Sequence, residues 1–341
     1  MAKRKGTYTV VFDEPISVRA SAAVGSKKES EGPIGHAFDV INEDDYFGEK
    51  TWEKAESRMQ QTAIQTALDK AKYQPSDIDC VFAGDLMNQC VGSTYGLRSF
   101  GIPFVGLFGA CSTMAEGMSL AAMLVDGGFA SYAAALTSSH FCSAERQYRN
   151  PLEYGGQKPP TAQWTTTGSG AVILSRKGTG PFITHVTTGK VVDKGITDAN
   201  NMGAAMAPAA YATLHAHFEE TGRSPDFYDL IVTGDLGSLG KEIVTDFFQR
   251  DGIDLRGRYD DCGVLLFDPT TQDVHAGGSG CGCSAVVLTG HLLREMRRGT
   301  YRNLLFCGTG ALHSPTATMQ GESIPGICHA VAITTEKGGA S

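Results

Sequence analysis

The sequence predicts an α/β fold built from two similar halves, and three observations support this prediction. The first is an internal repeat, in which YQPSDIDCVFAGDLMNQ at 73–89 parallels RSPDFYDLIVTGDLGSL at 223–239 at a constant offset of 150 (223 − 73). The second is a later helix–strand pair that recurs at an offset of 171 (299 − 128). The third is a strand–turn–helix pattern around Cys111. Repeated helix–strand units predict two α/β halves, 1–176 and 177–341, with equivalent turns facing a shared crevice.

Hydrophobic periodicity predicts the elements of each half in order. The clearest helix is Trp52–Lys72, where alanine and methionine recur every four residues. Short apolar runs predict the strands, which are Tyr8–Phe12, Ile16–Gly25, Asp77–Ala83, the run from Ile102 that precedes Cys111, Tyr132–Thr137, Ala171–Ser175 and, in the second half, Asn303–Cys307. Residues 138–167 show no clear element, and a segment of that length predicts a functional loop or cap.

Composition indicates an ordinary globular protein and argues against several classes of function. Of 341 residues, 41% are hydrophobic and 19% are charged, and the formal net charge is −8. Because no long run of Lys or Arg occurs, the chain is not expected to bind nucleic acid. The apolar stretches are too short or too polar for a signal-peptide core or a membrane span. Nine cysteines, an odd number without framework spacing, favour a reducing cytosol.

The turn at 109–113, Gly-Ala-Cys-Ser-Thr, is the first candidate for a functional site. Ser112 and Thr113 are preferred N-cap residues, so Cys111 is expected at or just before the first turn of the following helix. Backbone N–H groups and the helix dipole there favour anions and lower the pKa of a thiol. The alternative is that Cys111 is a small buried hydrophobic residue, as most free cysteines are. The coincidence of strand, turn and cap favours the functional interpretation.

The repeat predicts which loops share the crevice with Cys111. They include the loop around Asp235 and the turn at 277–285, in which the offset of 171 makes Gly282 the equivalent of Cys111. A further loop, at 307–313, follows the last long predicted strand. We expect it to present backbone N–H groups to the crevice.

The sequence contains no motif for a cofactor or a metal. The glycines at 278, 280 and 282 lack the spacing of the dinucleotide fingerprint, and Gly234–Glu242 lacks that of a phosphate loop. Cys281 and Cys283 are separated by one residue and have no second ligand pair nearby, which argues against zinc. We therefore predict neither a cofactor nor a metal site.

A nucleophilic cysteine needs a base within hydrogen-bond reach. The candidates, each predicted near a strand end or in a loop, are His140, His275 and His313. A histidine in a loop is more often a hydrogen-bonding residue than a base. The repeat instead places Asp235 and Ser279 opposite Cys111, and a carboxylate there would raise the pKa of the thiol. We therefore expect the nucleophile to be poorly supported.

Together these motifs resemble the thiolase superfamily of thiolases and ketoacyl synthases, which has a duplicated five-layer αβαβα fold. The turn at 109–113 is similar to its nucleophile motif, 167–171 to its Gly-Asp-Gly-Ala turn, and Gly308-Thr309-Gly310 to its C-terminal oxyanion loop. Condensing enzymes of the superfamily pair the cysteine with two histidines, or with a histidine and an asparagine. Since the matching positions here hold Asp235 and Ser279, the resemblance implies that a general base and an oxyanion donor are missing.

Over nearly its full length the chain is more closely similar to the stage V sporulation protein AD family of spore-forming bacteria. The segments that carry this resemblance are GPIGHAFD, GACSTMAEGMSLA, NPLEYGGQKPPTAQWT and GGSGCGCSA. The resemblance implies a non-catalytic protein that binds dipicolinic acid, or its calcium chelate, for uptake into the developing spore and release in germination. It also implies a cytoplasmic protein, held at the inner spore membrane by membrane proteins of the same operon. A superfamily-like homodimer is expected through the strand before Cys111.

The resemblance also assigns a role to each candidate residue. Cys111 and the N–H groups from Ser112 onward would hold one carboxylate of the ligand. Asp235 would contact the calcium or a protonated group. The other expected contacts are Ser279 as a hydroxyl donor, Gly308, Thr309 and Gly310 on the opposite wall, and His140 and His313 as further candidates.

Two other functions remain open at this point. An active acyltransferase or condensing enzyme would use Cys111 as its nucleophile, with His313 or His140 as the base. Acyl-CoA would then acylate Cys111. A structural scaffold of a membrane transport complex would bind no small ligand.

Overall fold

Strands and helices alternate through the residues that the computed structural model describes, 3–148 and 157–337. The strands are β1 Lys3–Lys5, β2 Thr9–Ser26, β3 Val40–Asn42, β4 Cys80–Gly84, β5 Phe104–Leu107, β6 Ala133–Ser139, β7 Trp164–Thr165, β8 Gly168–Ser175, β9 Phe182–Thr188, β10 Leu230–Thr233, β11 Tyr259–Asp261, β12 Gly278–Ser279, β13 Asn303–Ala311 and β14 Gly326–Thr334. The helices are α1 Lys27–Ser30, α2 Trp52–Ala71, α3 Val91–Leu97, α4 Thr113–Asp126, α5 Phe141–Tyr148, α6 Met202–Thr221, α7 Gly237–Arg250, α8 Cys262–Leu266, α9 Cys281–Val286, α10 Leu293–Arg298 and α11 Pro315–Met319. A π-helical segment, Val287–Leu292, joins α9 to α10.

The order of the strands shows the predicted duplication. The main sheet runs β11-β10-β13-β14-β9-β2-β8-β6-β4-β5. In the first repeat β5, β4 and β6 are parallel neighbours, and β8 and β2 follow in antiparallel pairing. The second repeat has the same pattern in β11, β10, β13, β14 and β9. Pairing of β2 with β9 joins the two repeats, so each contributes five strands in an equivalent order.

Helices form three layers around these strands. α4 lies in the middle, in contact with β4 and β6 on one side and with β13 and β14 on the other. α2 packs on β2 and β8, and α6 packs on β13 and β14. Met114 and Met118 of α4 share one hydrophobic cluster with Val286 and Leu292. The layers therefore follow the predicted order αβαβα.

The predicted helix Trp52–Lys72 is confirmed as α2, but two other regions differ from the prediction. The two predicted N-terminal strands are one strand, β2, whose register with β9 shifts between Val11 and Ile16. In the region 138–167, β6 extends to Ser139 and α5 follows. α5 carried no hydrophobic signal because its buried face includes Ser143 and Glu145. Residues 149–156 of that region, which include the start of the NPLEYGGQKPPTAQWT segment at 150–165, lie outside the described residues.

Among the helices that the structure describes, none is both long enough and apolar enough to cross a membrane.

Candidate ligand-binding site

Cys111 lies in a single 3-10 turn between β5 and α4. The hydroxyl of Ser112 donates to the Gly109 carbonyl at 2.6 Å, and that of Thr113 donates to the Ala110 carbonyl at 2.6 Å. Ala110 has a φ of 51°, a left-handed conformation that is costly for a residue with a Cβ. Cys111 therefore precedes the first turn of α4, as predicted. The two hydroxyls close the turn, however, and do not cap the N–H groups of the helix.

A cavity of about 70 Å³ lies beside Cys111 and is lined by both repeats. Its polar lining residues are Cys111, Glu145, Tyr148, Thr165, Asp235, Ser279 and His313. Its apolar lining residues are Leu86, Ala110, Ala144, Met202, Met206 and Ala311. An apolar wall with a few convergent polar groups is typical of a small-molecule site.

The Cys111 thiol is held in its protonated form. It packs in one hydrophobic cluster with Cys281 and lines the cavity together with the carboxylate of Asp235. The hydrogen bond with Cys281, burial, and the charge of Asp235 raise the pKa of Cys111 well above its ordinary value. These effects outweigh the dipole of α4. The predicted lowering of the thiol pKa is therefore wrong, and the predicted opposite effect of Asp235 is confirmed.

Asp235 is fully buried in the loop that follows β10. Its Oδ1 accepts from the Thr309 hydroxyl at 2.8 Å, and its Oδ2 accepts from the Gly280 N–H at 3.0 Å and the Ser279 hydroxyl at 3.3 Å. Burial raises the pKa of Asp235 to about 6, although the hydrogen bonds from Cys111 and Thr309 oppose that rise. This value is more than two units below the ordinary thiol value of about 8.5. The proton shared by the two groups therefore stays on sulfur.

The two histidines expected to contact the ligand, His313 and His140, lie in different cavities. His313 lines the cavity, with its ring centroid 5.5 Å from that of Tyr148. His140 is buried and lines a different cavity: its Nε2–H donates to the Asp45 carbonyl at 2.8 Å, and its Nδ1 accepts from the Cys142 N–H at 3.2 Å. Burial lowers the pKa of His140, so this imidazole is neutral and held by its neighbours. The assignment of His140 to the Cys111 site is therefore corrected.

Gly308, Thr309 and Gly310 belong to β13, which continues because it pairs with β14 as far as Ala311. The predicted loop of N–H donors is therefore wrong, and the three residues are not among those that line the cavity. A Cβ on Gly310 would lie 2.8 Å from the carbonyl oxygen of Gly109. Glycine thus lets β13 pack directly against the Cys111 turn.

A sequence comparison places the chain among known proteins over nearly its whole length. The family model of stage V sporulation protein AD matches residues 6–334. The chain belongs to the stage V sporulation protein AD family. One member, stage V sporulation protein AD of Bacillus subtilis (strain 168), is 48% identical over 339 residues, which are 99% of this chain and 100% of that protein.

Solved structures show that this member of the family has the predicted thiolase-like fold. The structure of OleA from Xanthomonas campestris aligns with a TM-score of 0.61 at 13% identity, over 95% of this chain and 99% of that chain. The 3-oxoacyl-(acyl carrier protein) synthase III, FabH, from Xanthomonas oryzae aligns with a TM-score of 0.60 at 15% identity, also over 95% and 99%. At these identities the similarity establishes the fold alone.

In this sporulation protein, Cys281 is a site residue that the sequence analysis missed. The offset of 171 pairs it with Ala110 (281 − 171), and its thiol donates to the Ala110 carbonyl at 3.0 Å. The repeat predicted Gly282, one residue further along, as the equivalent of Cys111. The same register, applied to the neighbours of Cys111, would have found Cys281.

Two more site residues, Glu145 and Tyr148, were missed because α5 was not predicted. The buried Glu145 carboxylate accepts from the Lys158 ammonium at 2.9 Å and from the Thr165 hydroxyl at 3.3 Å. The Tyr148 hydroxyl donates to the Leu86 carbonyl at 2.7 Å, which ties α5 to the opposite edge of the cavity. Within residues 3–148 and 157–337, no group of three or more His, Cys, Asp or Glu side chains is arranged to hold a metal ion.

Proposed function

We propose that this protein binds dipicolinic acid, as its calcium chelate, without transforming it, for uptake into the developing spore and release in germination. The observation that carries the proposal is that the Cys111 thiol and the buried Asp235 carboxylate line the same cavity, where the charge of Asp235 raises the pKa of the thiol. A condensing enzyme needs a thiolate nucleophile, whereas this charge keeps the proton on sulfur. The site therefore has the position of an acyl-transfer centre and the chemistry of a binding site.

The cavity lining favours a small, flat ligand. Leu86, Met202 and Met206 offer apolar contacts to an aromatic ring, and the rings of Tyr148 and His313 form a second wall. The cavity of about 70 Å³ is small, whereas typical ligand pockets have volumes of roughly 300–1,000 Å³. A long acyl chain would have to widen it.

Charge favours the calcium chelate over free dipicolinate. Lys158 offsets the charge of Glu145 at 2.9 Å, but a dicarboxylate would bring two further negative charges close to the Asp235 carboxylate in the cavity lining. Calcium held by the ligand's carboxylates cancels that charge. It also keeps coordination positions for further oxygen ligands, since Ca²⁺ takes six to eight.

Titration calorimetry with the full-length protein tests this proposal. We expect saturable binding of dipicolinate in calcium chloride, and binding at least roughly tenfold weaker in EDTA, because the uncompensated dianion is repelled. Benzene-1,3-dicarboxylate is the matched control ligand, since it lacks the ring nitrogen that completes the chelate. Tighter binding in EDTA would contradict the charge argument. Absence of saturable binding in both buffers would favour the scaffold alternative.

Intact mass spectrometry tests the acyltransferase alternative. We expect no mass shift on Cys111 after incubation with acyl-CoA of short, medium and long chain length. A stable acyl adduct on that residue would contradict a non-catalytic site.

We also propose that the protein forms a homodimer through β5. This strand lies at the edge of the sheet, and Phe104, Val105 and Phe108 on and beside it are 39%, 42% and 54% exposed. An exposed apolar edge strand favours pairing with a second copy.

Since uptake and release require passage through a membrane, membrane proteins of the same operon would hold the dimer at the cytoplasmic face of the inner spore membrane.

A further inference from the structure

A second buried carboxylate, that of Asp261 at the end of β11, lies behind the site. It is fully buried, and each of its oxygens accepts two hydrogen bonds. The donors are the Thr233 hydroxyl at 2.7 Å and the Leu236 N–H at 2.8 Å to Oδ2, and the Gly237 N–H at 2.9 Å and the Gly263 N–H at 2.9 Å to Oδ1. Three of these four donors belong to residues 233–237, the segment that carries Asp235.

Asp261 therefore fixes the backbone on both sides of Asp235. Thr233 ends β10, and Gly237 begins α7 with a φ of 66°. The first N–H groups of a helix have no partner within the helix, and a carboxylate near them is stabilised by the helix dipole. Asp261 supplies the hydrogen bonds that this short strand-to-helix turn cannot make for itself.

The side chain of Asp235 is held by a different set of residues. Thr309, Ser279 and Gly280 hold its carboxylate, whereas Asp261 holds its backbone. We propose that Asp261 is a positioning residue, which keeps the Asp235 carboxylate beside the Cys111 thiol in the lining of the cavity. The inference rests on the site proposed above and concerns the residue that holds Asp235 in its lining.

The side chains that interact with Asp261 in the described part of the chain include hydroxyls, thiols and a second carboxylate. They are the hydroxyls of Thr233 and Tyr259, the thiols of Cys262 and Cys283, and the carboxylate of Asp235. Burial raises the pKa of Asp261 to about 7, and the charge of Asp235 adds to that rise. The two buried carboxylates persist side by side because each has its own set of hydrogen-bond donors.

The pH profile of Cys111 alkylation in the full-length protein tests the proposal. Iodoacetamide reacts with the thiolate, and peptide mass spectrometry reports the rate at Cys111 separately from the other cysteines. In Asp261→Asn, an NH₂ group replaces an accepting oxygen and faces N–H donors, so the loop must move. If Asp235 thereby leaves the thiol, we expect Cys111 to react about tenfold faster at pH 8, with a profile midpoint lower by about one unit.

Two controls separate positioning from a general loss of structure. Asp254→Asn changes an exposed carboxylate, which pairs with Arg256 at 2.8 Å, and should leave the Cys111 profile unchanged. Cys307 is fully buried on β13, and its alkylation should stay slow in a folded variant.

If Cys307 also accelerates, Asp261→Asn has loosened the fold and Thr233→Val is measured in its place. That variant removes one donor to Asp261 and should accelerate Cys111 alkylation about threefold. An unchanged Cys111 profile in the folded variant would overturn the proposal. Because no ligand is present, that result would leave dipicolinate binding untouched.

Discussion

The Cys111 thiol and the Asp235 carboxylate, one from each repeat of the fold, line the same cavity, and the carboxylate raises the pKa of the thiol. Cys111 comes from the turn that opens α4, and Asp235 comes from the loop that follows β10. A neutral imidazole in place of Asp235 could take the thiol proton and stabilise the thiolate as an ion pair, whereas the anionic Asp235 carboxylate repels a thiolate and keeps the proton on sulfur. The Asp235 carboxylate thus accounts for a cysteine that is not an activated nucleophile.

Binding of the calcium chelate should weaken below pH 6. The pKa of Asp235 is raised to about 6, so its carboxylate is ionised at pH 7.5 and mostly protonated at pH 5. A protonated carboxyl group is a poorer oxygen ligand for calcium, and we expect affinity to fall by about tenfold between these pH values. Calorimetry at pH 5, 6 and 7.5 measures the change. Asp235→Asn should abolish the pH dependence, and retention of the full dependence in that variant would assign it to another group.

Glu56→Gln should stabilise the protein, and more so at high pH. Glu56 is fully buried, with hydrogen bonds from the hydroxyls of Ser138 at 2.9 Å and Ser143 at 2.7 Å. Burial, followed by the charge of Asp85, raises its pKa to about 8. Because the unfolded value is about 4.3, the stability gained by holding the proton is complete below that pH and is lost as pH rises toward 8.

The glutamine at position 56 would not ionise, so its advantage should grow from pH 5 to pH 8, reaching about 1–3 kcal/mol in the free energy of unfolding. Urea denaturation at pH 5, 6.5 and 8 measures this difference. Glu31→Gln, at an exposed position, is the control. An equal effect of Glu56→Gln at all three values would contradict the assigned pKa.

Gly310→Ala should destabilise the protein and displace the Cys111 turn. The added Cβ would lie 2.8 Å from the Gly109 carbonyl oxygen and 3.1 Å from the Ser112 nitrogen, both backbone atoms. Such overpacking costs about 1–3 kcal/mol. Gly106→Ala is the matched control, because its Cβ would meet only the Phe104 ring, at 3.3 Å. Thermal unfolding compares the two variants, and equal melting temperatures would refute the close contact between β13 and the turn.

Val105→Lys should dissociate the proposed homodimer. A charge on an apolar edge strand opposes strand pairing, which is how many proteins protect such edges. Val191→Lys places the same charge at another exposed valine, which is 59% exposed, and should have no effect. Light scattering after gel filtration measures the mass of each variant. A wild-type monomer, or a Val105→Lys dimer, would rule out this interface.

The fold could be predicted because the duplication is visible in short sequence patterns. Gly84 and Asp85 repeat as Gly234 and Asp235 at the ends of equivalent strands, β4 and β10. The position of Cys111 followed from the same logic, since a strand, a small-residue turn and a helix meet there.

The support of the site could not be predicted from sequence, because it depends on contacts between distant segments. Asp261 reaches Leu236 across 25 positions, and no local pattern distinguishes it from an exposed aspartate. The glycines at 308 and 310 suggested a loop, whereas their small size serves close packing within a strand. His140 was a candidate base on sequence grounds, but its hydrogen bonds with Asp45 and Cys142 come from the fold and hold it away from the Cys111 site.

The most direct test of a binding site at Cys111 is calorimetric titration of Cys111→Trp with the calcium chelate of dipicolinate. The indole fills the cavity, and circular dichroism checks that the variant is folded. Cys142→Trp, at a half-buried cysteine outside the lining of this cavity, is the control. We predict saturable binding to the wild type and to the control variant, and no detectable binding to Cys111→Trp. Wild-type affinity in the folded Cys111→Trp protein would place the ligand elsewhere and contradict the account.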